Sequence, residues 1–103
     1  MTDEVFAALA SPVRREVLKI LLDGPRPVQE LAEHFEMRRP SLSEHLKVLK
    51  DAGLVSERRD GRFRYYSLEA EPLLGVAEWL NPYERFWRER LGRLRDLLDG
   101  DDL

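Results

Sequence analysis

The sequence predicts a mainly α-helical fold with one small β-hairpin, an α+β arrangement in a single domain over residues 1–103. Apolar residues recur every three or four positions through most of the chain, which is the period of a half-buried helix. Between residues 54 and 68 the period falls to two, and Asp60-Gly61 in the middle is a strong hairpin signal. Since 43% of the 103 residues are apolar, the chain can form one hydrophobic core.

Three helices are predicted in the first part of the chain. The first covers residues 3–10. The second begins at Ser11, a good N-cap followed by proline in the first turn, and runs to about Asp23. The third opens at Pro27. Each helix has an apolar stripe that it can bury: Val5, Phe6 and Leu9 in the first, Val13, Val17, Ile20 and Leu21 in the second, and Val28, Leu31, Ala32 and Phe35 in the third.

A fourth helix, from about Pro40 to Ala52, follows a connection of only three or four residues. Two helices joined by a short turn and followed by an arginine-rich hairpin form a winged helix-turn-helix, with its second helix in the DNA major groove. Residues 11–68 are therefore the predicted winged helix-turn-helix core, with a two-stranded wing. The inner stripe of the fourth helix is Leu42, Leu46 and Leu49.

Charge is distributed unevenly along the chain. The net charge is −3, yet residues 38–64 carry eight basic and four acidic side chains, and both flanking segments are acidic. Charges more than about 8 Å apart are largely screened at physiological salt. A local basic surface on an acidic protein can therefore still attract phosphate.

The outer side of the fourth helix carries groups suited to DNA. Hydroxyls and a histidine near its first turns suit base edges and phosphates, and the helix dipole favours phosphate there. Arginines at the tip of the hairpin suit a minor groove, whose potential is negative. The helix contributes Ser41, Ser43, Glu44, His45, Lys47 and Lys50, and the hairpin contributes Arg58, Arg59 and Arg62.

The chain returns to helix from Glu71 to about Asp99, with a break or a new cap at Asn81-Pro82. Its apolar residues follow the spacing of a helix that packs along another helix. One subunit of this size has too little interior for so many aromatics, which favours a homodimer interface over ordinary core or an aromatic effector pocket. The predicted interface residues are Val5, Phe6, Leu9, Trp79, Tyr83, Phe86, Trp87, Leu91, Leu94 and Leu98.

The stretch SLSEHLKVLKDAGLV, followed by RRDGRFRYYSL, resembles the ArsR family of bacterial winged-helix repressors. The C-terminal EWLNPYERFWRERLGRLRDLL is similar to the metal-independent branch of that family. The resemblance implies a homodimer that represses transcription by binding a double-stranded DNA operator. It implies DNA-facing positions at Arg39, Ser41, Ser43, His45 and Lys47, with Arg58, Arg59 and Arg62 in the wing.

The residues predict neither a metal site nor a catalytic centre. The sequence has no cysteine, and the positions at which many family members place metal-binding cysteines fall at about Pro27 and Gln29. Ser43 and His45 lie two residues apart on a helix, so they point to different faces and cannot form a catalytic pair. No apolar run approaches the roughly 18 residues of a membrane span. We therefore expect a cytoplasmic protein that is not an enzyme and needs no cofactor.

The main alternative is a winged-helix module that binds another protein through its acidic surface and aromatic helix, because a fold does not fix a function. The arginines of the hairpin favour DNA, since a module that binds only protein has no need of a basic tip. The residues do not identify an effector.

Overall fold

The computed structural model describes residues 2–100, which fold as five α-helices and a small antiparallel sheet. The elements in order are α1 (Thr2–Leu9), α2 (Pro12–Ile20), a 3₁₀ turn (Leu21–Asp23), β1 (Arg26–Pro27), α3 (Val28–Ala32), α4 (Arg39–Asp51), β2 (Val55–Asp60), β3 (Phe63–Leu68) and α5 (Leu73–Gly100). Residue 1 and residues 101–103 of the predicted single domain lie outside the described residues. The predicted fold class, mainly helical with a hairpin, is confirmed.

The start of α2 follows its sequence signal. Ser11 is extended, with φ −99° and ψ 128°, and its hydroxyl accepts a hydrogen bond from the Arg14 amide at 3.3 Å. Proline follows in the first turn, where its missing amide hydrogen costs nothing. The helix tightens to the 3₁₀ turn at Leu21 and stops at Gly24, whose φ of 128° suits glycine.

The third helix is shorter than predicted. Pro27 lies in β1 rather than in the helix, so α3 begins at Val28 and has five residues. So short a helix depends on burial more than on its own hydrogen bonds, and Val28 and Leu31 are both buried. Phe35 packs half-buried against the core after the helix has ended. The connection to α4 is therefore residues 33–38, longer than the predicted three or four.

The predicted hairpin is present, with its turn one residue later than expected. Gly61 and Arg62 form the turn, because Asp60 pairs with Phe63. Gly61 has φ 62° while Arg62 does not share a positive φ, which is the pattern of a type II′ turn. The prediction of two strands was incomplete, since β1 pairs antiparallel with β3 on its other edge. A pairing of two residues is too short to show a period in the sequence.

The hydrophobic core lies between the helices and the sheet, and the predicted inner stripe of α4 is at its centre. Gly53, with φ 77°, ends α4 in the left-handed conformation and directs the chain into the sheet. The inner face of α4 is thereby fixed in the core, and its outer face stays on the surface. The most deeply buried large side chains are Val17, Leu31, Leu42, Leu46, Leu49 and Leu54.

The last helix differs most from expectation. It is one continuous helix of 28 residues that includes Pro82, so the predicted break at Asn81-Pro82 is wrong. Pro82 removes one hydrogen bond from the ladder, and the exposed surroundings leave water free to satisfy the carbonyl one turn earlier. A helix of this length spans about 42 Å. The chain is accordingly elongated, at 63 × 30 × 22 Å, and its radius of gyration is 18.3 Å against about 13 Å for a compact domain of 100 residues.

Candidate nucleic-acid interface

The N-terminal end of α4 is exposed and basic. Arg38 stands at the N-cap in an extended conformation, and Arg39 and Pro40 open the helix. A guanidinium carries only donors, so it cannot cap helix amides as serine would. Arg38, Arg39 and Ser41 are all exposed at the end of the helix where the macrodipole favours phosphate. This end has the chemistry of a phosphate-binding surface.

Ser43 and His45 lie on opposite flanks of α4. Ser43 is half-buried and faces the groove between α4 and the hairpin. His45 is half-buried on the other flank, where its Nδ1 is 3.1 Å from a terminal nitrogen of Arg14. Because a guanidinium only donates, Nδ1 is the acceptor in this contact, and Nε2 is the other polar atom of the ring. Any contact of His45 with DNA, which stays a prediction, would therefore be made through Nε2.

The two lysines of α4 have different partners. Lys47 pairs with Asp51 one turn later at 3.1 Å, and both side chains are largely exposed. Such a surface pair contributes little, so Lys47 can exchange its partner for a phosphate. Lys50 instead reaches across to the hairpin, where its Nζ is 2.9 Å from an oxygen of Glu57. Lys50 therefore joins α4 to the sheet.

The hairpin, which we call the wing, does not gather its arginines on one face. Arg58 pairs with Tyr65 across the strands and holds its guanidinium 5.4 Å from the centre of that ring. Arg59 pairs with Arg64 on the opposite face. Arg62 occupies the turn. All three predicted wing arginines are exposed, but they extend from two faces and the tip.

Glu57 is the centre of a network between α4 and the wing. One carboxylate oxygen accepts from Lys50 at 2.9 Å, and the other accepts from Arg64 at 3.2 Å and from the Tyr66 hydroxyl at 3.4 Å. We call these four residues the Glu57 network. The groove beside it is lined by Ser43, Lys47, Lys50, Glu57, Arg64 and Tyr66.

The pKa shifts in this network have a common cause. The hydrogen bond from Lys50 holds the pKa of the Glu57 carboxyl below its ordinary value, and the same contact raises the pKa of Lys50. Burial raises the pKa of Tyr66, and the neighbouring Glu57 carboxylate adds to that shift. At neutral pH the network is one carboxylate, two cations and one neutral phenol. It carries a net positive charge beside the outer face of α4.

The Glu57 network contains residues that the sequence reasoning missed. The hairpin register was a usable signal, because Glu57 pairs with Tyr66 and Arg64 follows on the same face. The contact with Lys50 depends on how α4 packs on the sheet, which a local pattern does not contain. Arg14, the partner of His45, was missed for the same reason, since 31 positions separate the two residues.

Most of the predicted interface residues form one exposed stripe along α5, spaced by three and four positions apart from the adjacent pair Phe86 and Trp87. Phe6 of α1 packs edge-on against Trp79 with ring centres 5.6 Å apart, and the ring of Tyr83 is tilted by 41° against Trp79 with centres 5.2 Å apart. Val5 is wrong as an interface residue: it is 3% exposed because it belongs to the subunit's own core, and Leu9 is partly buried against that core. The α5 stripe consists of Trp79, Tyr83, Phe86, Trp87, Leu91, Leu94 and Leu98, each at least 47% exposed.

Two kinds of feature are absent from residues 2–100, a metal site and a membrane span. Over that range, His, Cys, Asp and Glu nowhere group in threes with the geometry to hold a metal ion. Within the same range, each helix is too short or too polar to cross a membrane.

The sequence matches a family model described as bacterial regulatory protein, arsR family, over residues 11–57. The transcriptional repressor SdpR of Bacillus subtilis is 40% identical over 78 residues, which are 76% of this chain and 87% of SdpR. The HTH-type transcriptional regulator Rv2034 of Mycobacterium tuberculosis is 40% identical over 102 residues, which are 97% of this chain and 92% of that protein.

Solved structures show the same similarity. The crystal structure of an ArsR family transcriptional regulator covers 82% of this chain and 88% of its own, with a TM-score of 0.74 and 40% identity. HlyU from Vibrio cholerae covers 78% of this chain and 88% of its own, with a TM-score of 0.64 and 30% identity. The fold is therefore the winged helix-turn-helix, and the chain belongs to the arsR family of DNA-binding transcriptional regulators.

Proposed function

We propose that this regulator is a homodimeric repressor that binds an inverted-repeat operator with one α4 helix in each of two major grooves. The observation that carries the proposal is the joining of α4 to the wing. Because Glu57 of the wing bonds to Lys50 in the last turn of α4, the helix and the arginine hairpin are presented as one unit. This is the geometry in which a helix enters a major groove and a wing lies over the adjacent backbone.

The predicted DNA-facing residues then have distinct roles. Exposed cations neutralise phosphates. The serine hydroxyls and the Nε2 edge of His45 lie on the first turns of α4, where they can contact base edges. The phosphate set is Arg39, Lys47, Arg58, Arg59 and Arg62, and the base-reading set is Ser41, Ser43 and His45.

A second copy of the chain is the proposed occupant of the α5 stripe. Residues 1–10 and 71–99 then carry dimerisation, and residues 11–68 carry DNA binding. A two-fold axis makes the contact self-complementary and sets the two α4 helices about 34 Å apart, one turn of DNA. Phe6 extends the stripe through its contact with Trp79.

Repression then follows from steric exclusion of polymerase at the operator, in the bacterial cytoplasm where the DNA lies. We place the protein in the metal-independent branch, since the sequence has no cysteine to serve as a thiolate ligand. We assign it no reaction of its own, in keeping with a family of regulators.

The test is fluorescence anisotropy on DNA from immediately upstream of the protein's own gene, against scrambled DNA, at two salt concentrations. We expect at least about 10³-fold preference for the upstream fragment. Ser43→Ala should change the preferred sequence rather than the salt dependence. Absence of binding at low salt would contradict the proposal and favour a module that binds protein.

A further inference from the structure

The guanidinium of Arg14 bridges two helices other than its own. Its Nε donates to the carbonyl of Ala8 at 2.7 Å, and one terminal nitrogen donates to the carbonyl of Ala7 at 3.2 Å. The other terminal nitrogen donates to Nδ1 of His45 at 3.1 Å. Arg14 sits near the start of α2, so one side chain joins the end of α1 to the middle of α4.

The end of α1 explains the first two bonds. The last carbonyls of a helix have no partner within the helix, and the sequence AALA gives α1 no basic residue of its own there. Arg14 supplies donors to two of these carbonyls, and Arg15 supplies another to Leu9 at 2.7 Å. Two neighbouring arginines thus cap the same helix end, but Arg14 alone of the pair also reaches α4.

The contact with His45 then fixes α4 relative to α1. Since all three nitrogens of Arg14 have acceptors, the planar guanidinium holds those acceptors in a set geometry. His45 lies one turn after Ser41 and on the helix whose first turns meet DNA. A rotation of α4 about its axis would break the bond.

A continuous line of contacts therefore runs from the α5 stripe to α4. Trp79 packs on Phe6, the next residues of α1 bond to Arg14, and Arg14 bonds to His45. We infer that Arg14 is a positioning residue that sets the orientation of α4 against the dimer-forming helices. In the proposed homodimer, on which this inference rests, that orientation determines the spacing of half-sites that the two α4 helices fit.

The test compares Arg14→Lys with Arg15→Lys on a series of inverted repeats whose half-sites are separated by one base pair more or fewer. Both variants keep the charge and lose the guanidinium fork, so Arg15→Lys is the matched control for loss of a cap on α1. We expect Arg14→Lys to lose about tenfold in affinity for the preferred spacing and to discriminate less between spacings, with an unchanged salt slope. We expect Arg15→Lys to behave as the wild type.

Variants of the acceptor give an independent arm. Both His45→Gln and His45→Leu lose the Nε2 edge proposed to read a base, so both should lose affinity, but only His45→Gln keeps an oxygen that can accept from Arg14. His45→Gln should therefore keep most of the spacing preference, whereas His45→Leu should lose it. In a double-mutant cycle, Arg14→Lys should add little to His45→Leu. Circular dichroism and sedimentation establish that each variant is folded and dimeric, and the His45 pair serves the same purpose if Arg14→Lys does not fold.

Three results would overturn the inference. Equal losses in Arg14→Lys and Arg15→Lys would make Arg14 a cap and no more. If Arg14→Lys kept the wild-type affinity and spacing preference while Arg14→Gln had a flatter salt slope, Arg14 would be a phosphate contact. Full additivity with His45→Leu would remove the coupling. A wild-type protein that binds none of the spacings contradicts the proposed function itself, which separates the two failures.

Discussion

The inner stripe of α4 and the α5 stripe have the same spacing in sequence and opposite fates in the subunit. Leu42, Leu46 and Leu49 are each at most 1% exposed, whereas the members of the α5 stripe, of similar size and more aromatic, are about half exposed. A helical period says that one face will be covered, but it does not say by what. The first stripe is covered by the subunit's own sheet and helices, and the second is exposed in the subunit and is, in our proposal, covered by a second copy of the chain.

The largest expected effects come from placing one change in each stripe. Leu46→Ala should lower the free energy of unfolding by about 2–5 kcal/mol at every protein concentration, because it leaves a cavity in the subunit core. Leu94→Glu should instead raise the dimer dissociation constant by about 100-fold or more, because it introduces a charge into an apolar contact. Urea melts at several protein concentrations measure the free energy of unfolding, and analytical ultracentrifugation measures the dimer dissociation constant.

The matched control for Leu94→Glu is Arg85→Glu. Arg85 lies nine residues earlier on the same helix, which is two and a half turns and hence the opposite side. The Arg85→Glu variant should leave the dimer dissociation constant unchanged. A Leu94→Glu protein that remains a dimer, or an Arg85→Glu protein that becomes a monomer, would show that the α5 stripe is not the face that associates.

The next largest effect is expected on DNA binding by the wing, which forms within a single subunit. Arg58→Ala and Arg62→Ala should each weaken binding to all DNA sequences and flatten the plot of log K against log salt by about one unit, through loss of a phosphate contact. Arg88→Ala removes an arginine from α5, where it pairs with Glu84, and should leave the slope unchanged. Anisotropy titrations at four salt concentrations measure the slopes, and unchanged slopes in both wing variants would contradict the assignment.

The two regions also differ in how far the sequence could predict them. Local signals predicted the N-cap at Ser11, the hairpin at Asp60-Gly61 and the leucines of α4, since each depends on neighbours within a few residues. Three features depend on packing between distant parts of the chain. They are the third strand, the unbroken course of α5 through Pro82 and the contact of His45 with Arg14. Val5 failed as an interface residue because periodicity cannot distinguish a face covered within the subunit from one covered by a partner.

A smaller effect is expected from the Glu57 network, where a substitution should change DNA binding and leave dimerisation unchanged. Glu57→Gln should free Lys50 and Arg64 for phosphate, so binding to scrambled DNA should tighten and its salt slope should steepen by up to about two units. The preference for the operator should fall because α4 and the wing are no longer fastened, and dimerisation should not change. Glu69→Gln makes the same change of charge at a carboxylate that accepts from the Ser56 hydroxyl, and it should leave the slope near the wild-type value.

The smallest expected effect is the pH dependence of stability that Glu57 contributes. Its folded pKa is below the ordinary 4.5, chiefly through the hydrogen bond from Lys50, so the carboxylate stabilises the fold above about pH 4.5. The contribution is lost as pH falls through the lower folded pKa. Lys50 has the opposite sign: its raised pKa gives stability below 10.5 that is lost as pH rises through the folded value. Glu57→Gln should therefore melt below the wild type at pH 7 and converge with it as the pH falls below the folded pKa of Glu57, and Glu69→Gln should show no such convergence. A constant gap across that range would mean that the carboxylate acts through packing and not through its charge.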